Sequence, residues 1–163
     1  LPGVGSFKKG MENLHESGLV DLLTQEVVVN KKPFLGICLG MQLIASKGTE
    51  PEDISGLGWI DGKVEKFNIN DIPYKTKLPH MGWNNVSLNN DNPLMKGLSE
   101  NPKFYFLHSY FFSCSDKSNT LTSSFYGKEF TSAVNHENVY GVQFHPEKSH
   151  HNGVTLLNNF SLL

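Results

Sequence analysis

Cysteine is scarce in this chain: Cys38 and Cys114 are the two among 163 residues. That is too few for a disulfide framework and suits a reducing cytoplasm. An excess of either charge is also missing. Fourteen basic and sixteen acidic side chains leave a formal net charge of −2, so no basic surface calls for nucleic acid. No apolar run approaches the ~20 residues of a membrane helix, and no signal peptide is visible, so no membrane role is expected. Neither G-x-x-x-x-G-K nor G-x-G-x-x-G occurs, which removes the opening LPGVG as a phosphate loop of either type. His145, His150 and His151 lack the accompanying Cys or carboxylate spacing of a metal site, and neighbouring histidines diverge, so neither metal nor cofactor is expected. An initiator methionine is absent too, and residues 1–3 read as the end of a strand. The expectation is one domain over 1–163 that lacks an N-terminal βα unit.

What is present centres on 31–45, KKPFLGICLGMQLIA. The apolar run 34–37 leads into Cys38, and Gly36 and Gly40 flank it with the spacing of a nucleophile elbow. A sharp strand-to-helix turn needs small residues on both sides and presents the side chain at a helix start. There backbone N–H groups and the helix dipole favour a thiolate. The plain alternative is an ordinary buried cysteine.

Around that turn, 8–16 and 18–29 read as helices, the second with Leu19, Leu22, Leu23 and Val27 at amphipathic spacing. Residues 47–56 read as a loop, 58–67 as a strand and 72–77 as a short strand. Residues 78–84, LPHMGWN, read as a compact loop, 86–88 as a strand, and 93–96 as one helical turn. The aromatic segment 103–113 reads as a core strand ending near His108, followed by strands at 121–126, 130–135 and 139–144 and a helix at 153–160. Helices in front and strands behind predict an α/β fold: a central, mostly parallel sheet flanked by helices, with an antiparallel layer. Cys114, with no flanking glycines or neighbouring base, reads as structural.

The second chemical stretch is GVQFHPEKS at 141–149. In an extended chain His145 and Glu147 share a face, and a carboxylate beside an imidazole fixes its tautomer and supports its charged form. Taken alone, the tripeptide is also an edge turn. Paired with the elbow, it completes a nucleophile, base and orienter.

These motifs, together with LPGVGSF, PHMGWN and FLHSYF, make the whole chain resemble a class I (triad) glutamine amidotransferase of flavodoxin-like architecture. Within that family it is similar to the glutaminase subunits of imidazole glycerol phosphate synthase and to their surface-polysaccharide paralogues. The resemblance implies that Cys38 attacks the side-chain amide of L-glutamine, forming a γ-glutamyl thioester and releasing ammonia. His145 is then general base and acid, and Glu147 orients it. Backbone N–H groups of Val4 and Leu39 are implied as the oxyanion hole. Gly3, Gly5, Gln42, His108, Ser109 and Tyr110 are implied as substrate contacts. From the residues alone, the plain alternative for Gln42 is a solvated helix residue, and His108 is equally a core histidine at a strand end. Lys148 and Trp83 are placed at a partner interface, with His80 shaping the same loop or surface. The implied partner is a cyclase or synthase subunit, a (β/α)8 barrel that accepts the ammonia in a heterodimer. Two other readings stay open: ammonia supply for an amidino-sugar synthase, and a stand-alone γ-glutamyl hydrolase.

Overall fold

The computed structural model describes the chain apart from residues 51 and 73–75 and the side chain of residue 71. Ser6 opens the first helix, α1 (Phe7–Glu16), by accepting a hydrogen bond from the Lys9 N–H at its Oγ, 3.3 Å away. Phe7, Met11 and Leu14 recur at helical spacing and form its buried face. Helix α2 (Leu19–Thr24) does not run on regularly to residue 29. It passes into a π turn at Gln25–Val29, and of the expected amphipathic row Val27 is buried while Leu19 and Leu22 face outward. The wider turn changes the phase of the helix.

Pro33 precedes β2 (Phe34–Cys38), which is apolar on both faces. Phe34 packs into a core layer with Phe7, Met41, Ile44 and Phe112. Its neighbour Leu35 points the other way, into a layer with Phe106, Phe130, Phe144 and Leu156. That two-sided burial is what a strand covered on both faces requires. It is flanked in parallel by β1 (Pro2–Gly3) and by β12 (Val139–Val142). Beyond β12 the sheet continues antiparallel through β11 (Lys128–His136), β9 (Tyr110–Cys114) and β5 (Ile60–Lys66). β3 (Ala45–Gly48) then pairs parallel to β5, and β4 (Ile54–Ser55) closes that edge. β10 (Thr120–Tyr126) and β7 (Ser87–Leu88) pair off β11, giving ten strands among the described residues. The sheet is therefore mixed rather than mostly parallel: parallel at β1–β2–β12, where the elbow sits, and again at β3–β5, and antiparallel at its other pairings, within a single α/β domain.

Three segments differ from the sequence reading, each because tertiary pairing outweighs local propensity. Residues 47–56 are not all loop, since α3 (Leu39–Leu43) is only five residues long and its exit is drawn into β3. The LPHMGWN segment is not a loop either. Its greater part is β6 (His80–Asn85), paired antiparallel with β8 (Lys103–His108) in a second, two-stranded sheet. The aromatic run 103–113 is two strands in two sheets, β8 and β9, divided at Ser109. The strand expected at 72–77 centres on positions outside the described residues. The helical turn near 93 is a 3₁₀ turn, Pro93–Met95. The last helix, α4 (His150–Phe160), starts three residues earlier than its apolar pattern suggests.

Candidate functional site

The elbow has a specific steric cause. Cys38 adopts φ 54°, ψ −110°, a conformation that β-carbon-bearing residues rarely take. A Cβ on Gly36 would lie 2.5 Å from the Gly40 carbonyl oxygen, and one on Gly40 would lie 1.9 Å from the Leu1 carbonyl oxygen. Glycine at 36 lets the turn close on itself, and glycine at 40 lets the backbone at Leu1 pack against it. It delivers Cys38 from the end of β2 to the head of α3, its side chain at the mouth of a cavity of about 300 Å³.

His145 lines the same cavity, more than a hundred residues later in the chain. It is held from three directions. Its backbone N–H donates to the Tyr105 carbonyl of β8 at 2.8 Å. Its own carbonyl accepts from Ser149 Oγ at 2.6 Å, and Ser149 Oγ in turn accepts from the Tyr105 N–H at 3.0 Å. On the ring, Nδ1 is 2.7 Å from Glu147 Oε1. A carboxylate only accepts, so Nδ1 carries the proton and Nε2 presents a lone pair. Nε2 is buried with no hydrogen-bond partner.

The thiol is not bonded to that lone pair. Cys38 S–H donates instead to the Leu107 carbonyl, 3.8 Å away, and Sγ accepts from Gln143 Nε2 at 3.7 Å. Burial pushes the Cys38 thiol up to about 11, against the pull of the Leu39 N–H and Gln143. At neutral pH the resting form is a thiol, and its proton faces away from the base. The helix-start effect expected from sequence is present in the Leu39 N–H, but desolvation outweighs it.

The other expected residues fall unevenly. Val4 and Gly5 line the cavity, Gly5 at φ 114°, whereas Gly3 is held in the β1 ladder opposite Cys38 and is not among the lining residues. Leu39, Ser109 and Tyr110 also line it. Gln42 is buried rather than solvated. Its Nε2 donates to the Tyr110 carbonyl at 3.0 Å and to Gln143 Oε1 at 2.9 Å, leaving its Oε1 to face the cavity.

His108 lines the wall and is also a satisfied core histidine. Its Nδ1 donates to the Tyr110 carbonyl at 2.8 Å, and its Nε2 accepts from His80 Nδ1 at 2.9 Å. His80 is therefore interior, not on a loop or partner surface. Strand register sets it opposite His108, and its ring stacks on Phe106 and Tyr126. Burial lowers His80 to about 4 and His108 to about 3. Trp83 is exposed on β6 and stacks flat on His150, and Lys148 reaches over the Tyr105 ring that Trp83 meets edge-on. These two form one outer rim beside His145.

Three participants escaped sequence reading. Glu50 puts a carboxylate on the cavity wall, where its Oε2 accepts from the Phe7 N–H at 3.2 Å. It lies in a polar segment with no motif, so nothing in the sequence marked it. Leu107 acts through its carbonyl, which no side-chain pattern reveals. Gln143 stood in plain view, two residues before His145. Among the described residues no cluster of three or more His, Cys, Asp or Glu is placed to hold a metal, and no helix is long and apolar enough to cross a membrane.

The profile of the family described as glutamine amidotransferase class-I matches residues 1–162. The imidazole glycerol phosphate synthase subunit HisH of Leptospira borgpetersenii is 51% identical over 163 residues, covering 100% of this chain and 79% of that protein. The subunit named HisH 2 of Methanococcus maripaludis is 52% identical over 160 residues, covering 98% of this chain and 77% of that one. A glutamine amidotransferase structure from Thermotoga maritima superimposes with a TM-score of 0.65 at 18% identity, over 99% of this chain but 60% of that one. Another glutamine amidotransferase structure reaches 0.69 at 18% identity, over 98% and 77% of the respective chains. At such identities the structures speak for the fold alone.

Proposed function

Because the chain belongs to the class-I glutamine amidotransferases, we propose that it is the glutaminase subunit of an imidazole glycerol phosphate synthase, serving histidine biosynthesis. The observation that carries the mechanism is the shared cavity: Cys38 on its strained elbow, and His145 with a free Nε2 and its Nδ1 on Glu147. L-Glutamine enters with its carboxamide at Cys38. The thiol turns from the Leu107 carbonyl and gives its proton to His145 Nε2, and the sulfur attacks the carboxamide carbon. The oxyanion is met by the Leu39 N–H and, once the loop at Gly5 turns it inward, by the Val4 N–H. His145 returns the proton to the departing nitrogen, leaving ammonia and a γ-glutamyl thioester. Water, deprotonated by the same ring, releases glutamate.

The far end of glutamine carries an ammonium and a carboxylate. Glu50 and Gln42 Oε1 suit the ammonium, and the backbone at Ser109 and Tyr110 suits the carboxylate. Ammonia passes to a synthase subunit, a (β/α)8 barrel. Trp83 and Lys148 lie on the docking rim, and the pair works as a cytoplasmic heterodimer.

The test is a glutaminase assay of the purified chain and of Cys38→Ala, with and without the cyclase subunit and its acceptor ligand. Slow turnover alone, strong acceleration in the complex and none in Cys38→Ala are expected. Turnover surviving in Cys38→Ala would sink the mechanism. Full activity on γ-glutamyl peptides without any partner would assign the chain to stand-alone hydrolases instead.

A further inference from the structure

The hydrogen bonds around Cys38 Sγ go beyond the nucleophile, base and orienter. Gln143 is wholly buried on the segment leaving β12, and its terminal amide meets the sulfur. An amide has two ends, and the end that faces the sulfur decides its effect. An N–H favours a thiolate; a carbonyl opposes it. Here the orientation follows by exclusion. The Tyr110 carbonyl can only accept, so the Gln42 atom 3.0 Å from it is nitrogen. That nitrogen lies 2.9 Å from one end of the Gln143 amide, which must then be oxygen. The other end, 3.7 Å from Sγ, is nitrogen and donates.

We propose that Gln143 is a catalytic residue: its side-chain N–H holds the Cys38 sulfur as the anion forms, in an orientation imposed through Gln42 by the Tyr110 carbonyl. This rests on Cys38 being the nucleophile. The need for such a donor is visible in the surroundings. When the thiol proton moves to His145 Nε2, the electron pair stays on a sulfur that burial has made reluctant to ionise. The Leu107 carbonyl, a good acceptor for the resting S–H, then faces an anion and repels it. Gln143, with the Leu39 N–H, opposes that repulsion from within the protein, before any substrate binds. The relay also accounts for the burial of Gln42. With both amide hydrogens committed to Tyr110 and Gln143, it locks a neighbour while offering only its oxygen to the cavity.

The experiment is the pH dependence of Cys38 alkylation by iodoacetamide in the full chain, followed by mass at that residue so that Cys114 is counted separately. Replacing the donor in Gln143→Leu moves the inflection upward by about one pH unit, and alkylation below it slows about ten-fold. Gln143→Glu, which turns an oxygen toward the sulfur, moves it at least as far. An unchanged profile in either variant with native circular dichroism overturns the proposal. A second reading needs no Gln143 variant: the side-chain amide resonance of Gln143 in the wild-type chain titrates with the same inflection and is flat in Cys38→Ser. A flat amide in the wild type also overturns it. Neither measurement uses turnover. Glutaminase activity in Cys38→Ala would therefore sink the mechanism alone, and an unshifted alkylation profile would sink Gln143 alone.

Discussion

His145 Nδ1 lies 2.7 Å from Glu147 Oε1, and the opposite nitrogen of the same ring has no partner. The carboxylate thus sets the tautomer that leaves a lone pair for the thiol proton. Glu147 is half exposed, with 51% of its side chain open, so water takes over part of its role when it is changed. Glu147→Gln is expected to lower kcat about 10²-fold with KM within a few-fold of wild type, read by steady-state glutaminase kinetics in the complex. A loss of two-fold or less would remove Glu147 as the orienter.

The elbow makes a stability prediction independent of chemistry. A methyl at position 36 meets the Gly40 carbonyl at 2.5 Å, against backbone that has nowhere to go. Gly36→Ala is expected to destabilise the fold by about 3 kcal/mol or more, seen as a lower urea midpoint. A midpoint equal to wild type would mean the turn is looser than its geometry.

Ser149 joins two backbone groups: its hydroxyl donates to the His145 carbonyl, which also accepts from the Lys148 N–H, and its oxygen is the acceptor for the part-buried Tyr105 N–H. Ser149→Ala is expected to cost about 1–3 kcal/mol by chemical denaturation. In the folded remainder kcat falls while KM holds, because the ring of His145 loses its placement and the substrate pocket does not. Equal losses in both parameters would point to a general loosening.

The His80–His108 pair predicts acid sensitivity with a definite sign. Both pKa values are depressed by burial, to about 4 and about 3, from an ordinary value near 6.5. The unfolded chain therefore binds more protons than the folded one below about pH 6.5, and stability falls with the pH from there down to about 3. Imidazole resonances of the two residues should stay in the neutral form at pH 5.5. Titration of either near 6.5 would contradict the buried network.

The sequence made the elbow legible because its signal is steric and local: glycine on each side of a cysteine between an apolar run and a helix. The His145–Glu147 pair was legible for a similar reason, since spacing two in an extended chain sets a common face. β6 was not, because LPHMGWN has turn residues, and only pairing with β8 makes it a strand. The division at Ser109 was invisible within an unbroken aromatic run, since both halves have strand composition and differ only in which sheet they join. His80 looked like a surface residue for want of its strand partner, and Glu50 carried no pattern at all. Gln143 shows a different limit. Its type and place were known, but its role depends on the direction of an amide, which Tyr110 fixes from across the fold.

The nucleophile and the base both leave strands of the ten-stranded sheet, Cys38 at the end of β2 and His145 three residues past β12, but they are anchored differently. Cys38 ends a strand of the ten-stranded sheet, while the backbone of His145 is tied to β8 of the small two-stranded one. The gap between sulfur and imidazole therefore depends on the β2–β12 pairing and also on how the small sheet seats on the large one through Phe104, Phe106, Phe130 and Phe144. Those rings work like the shims of an optical mount, so repacking them should retune the reaction without altering any residue that touches glutamine.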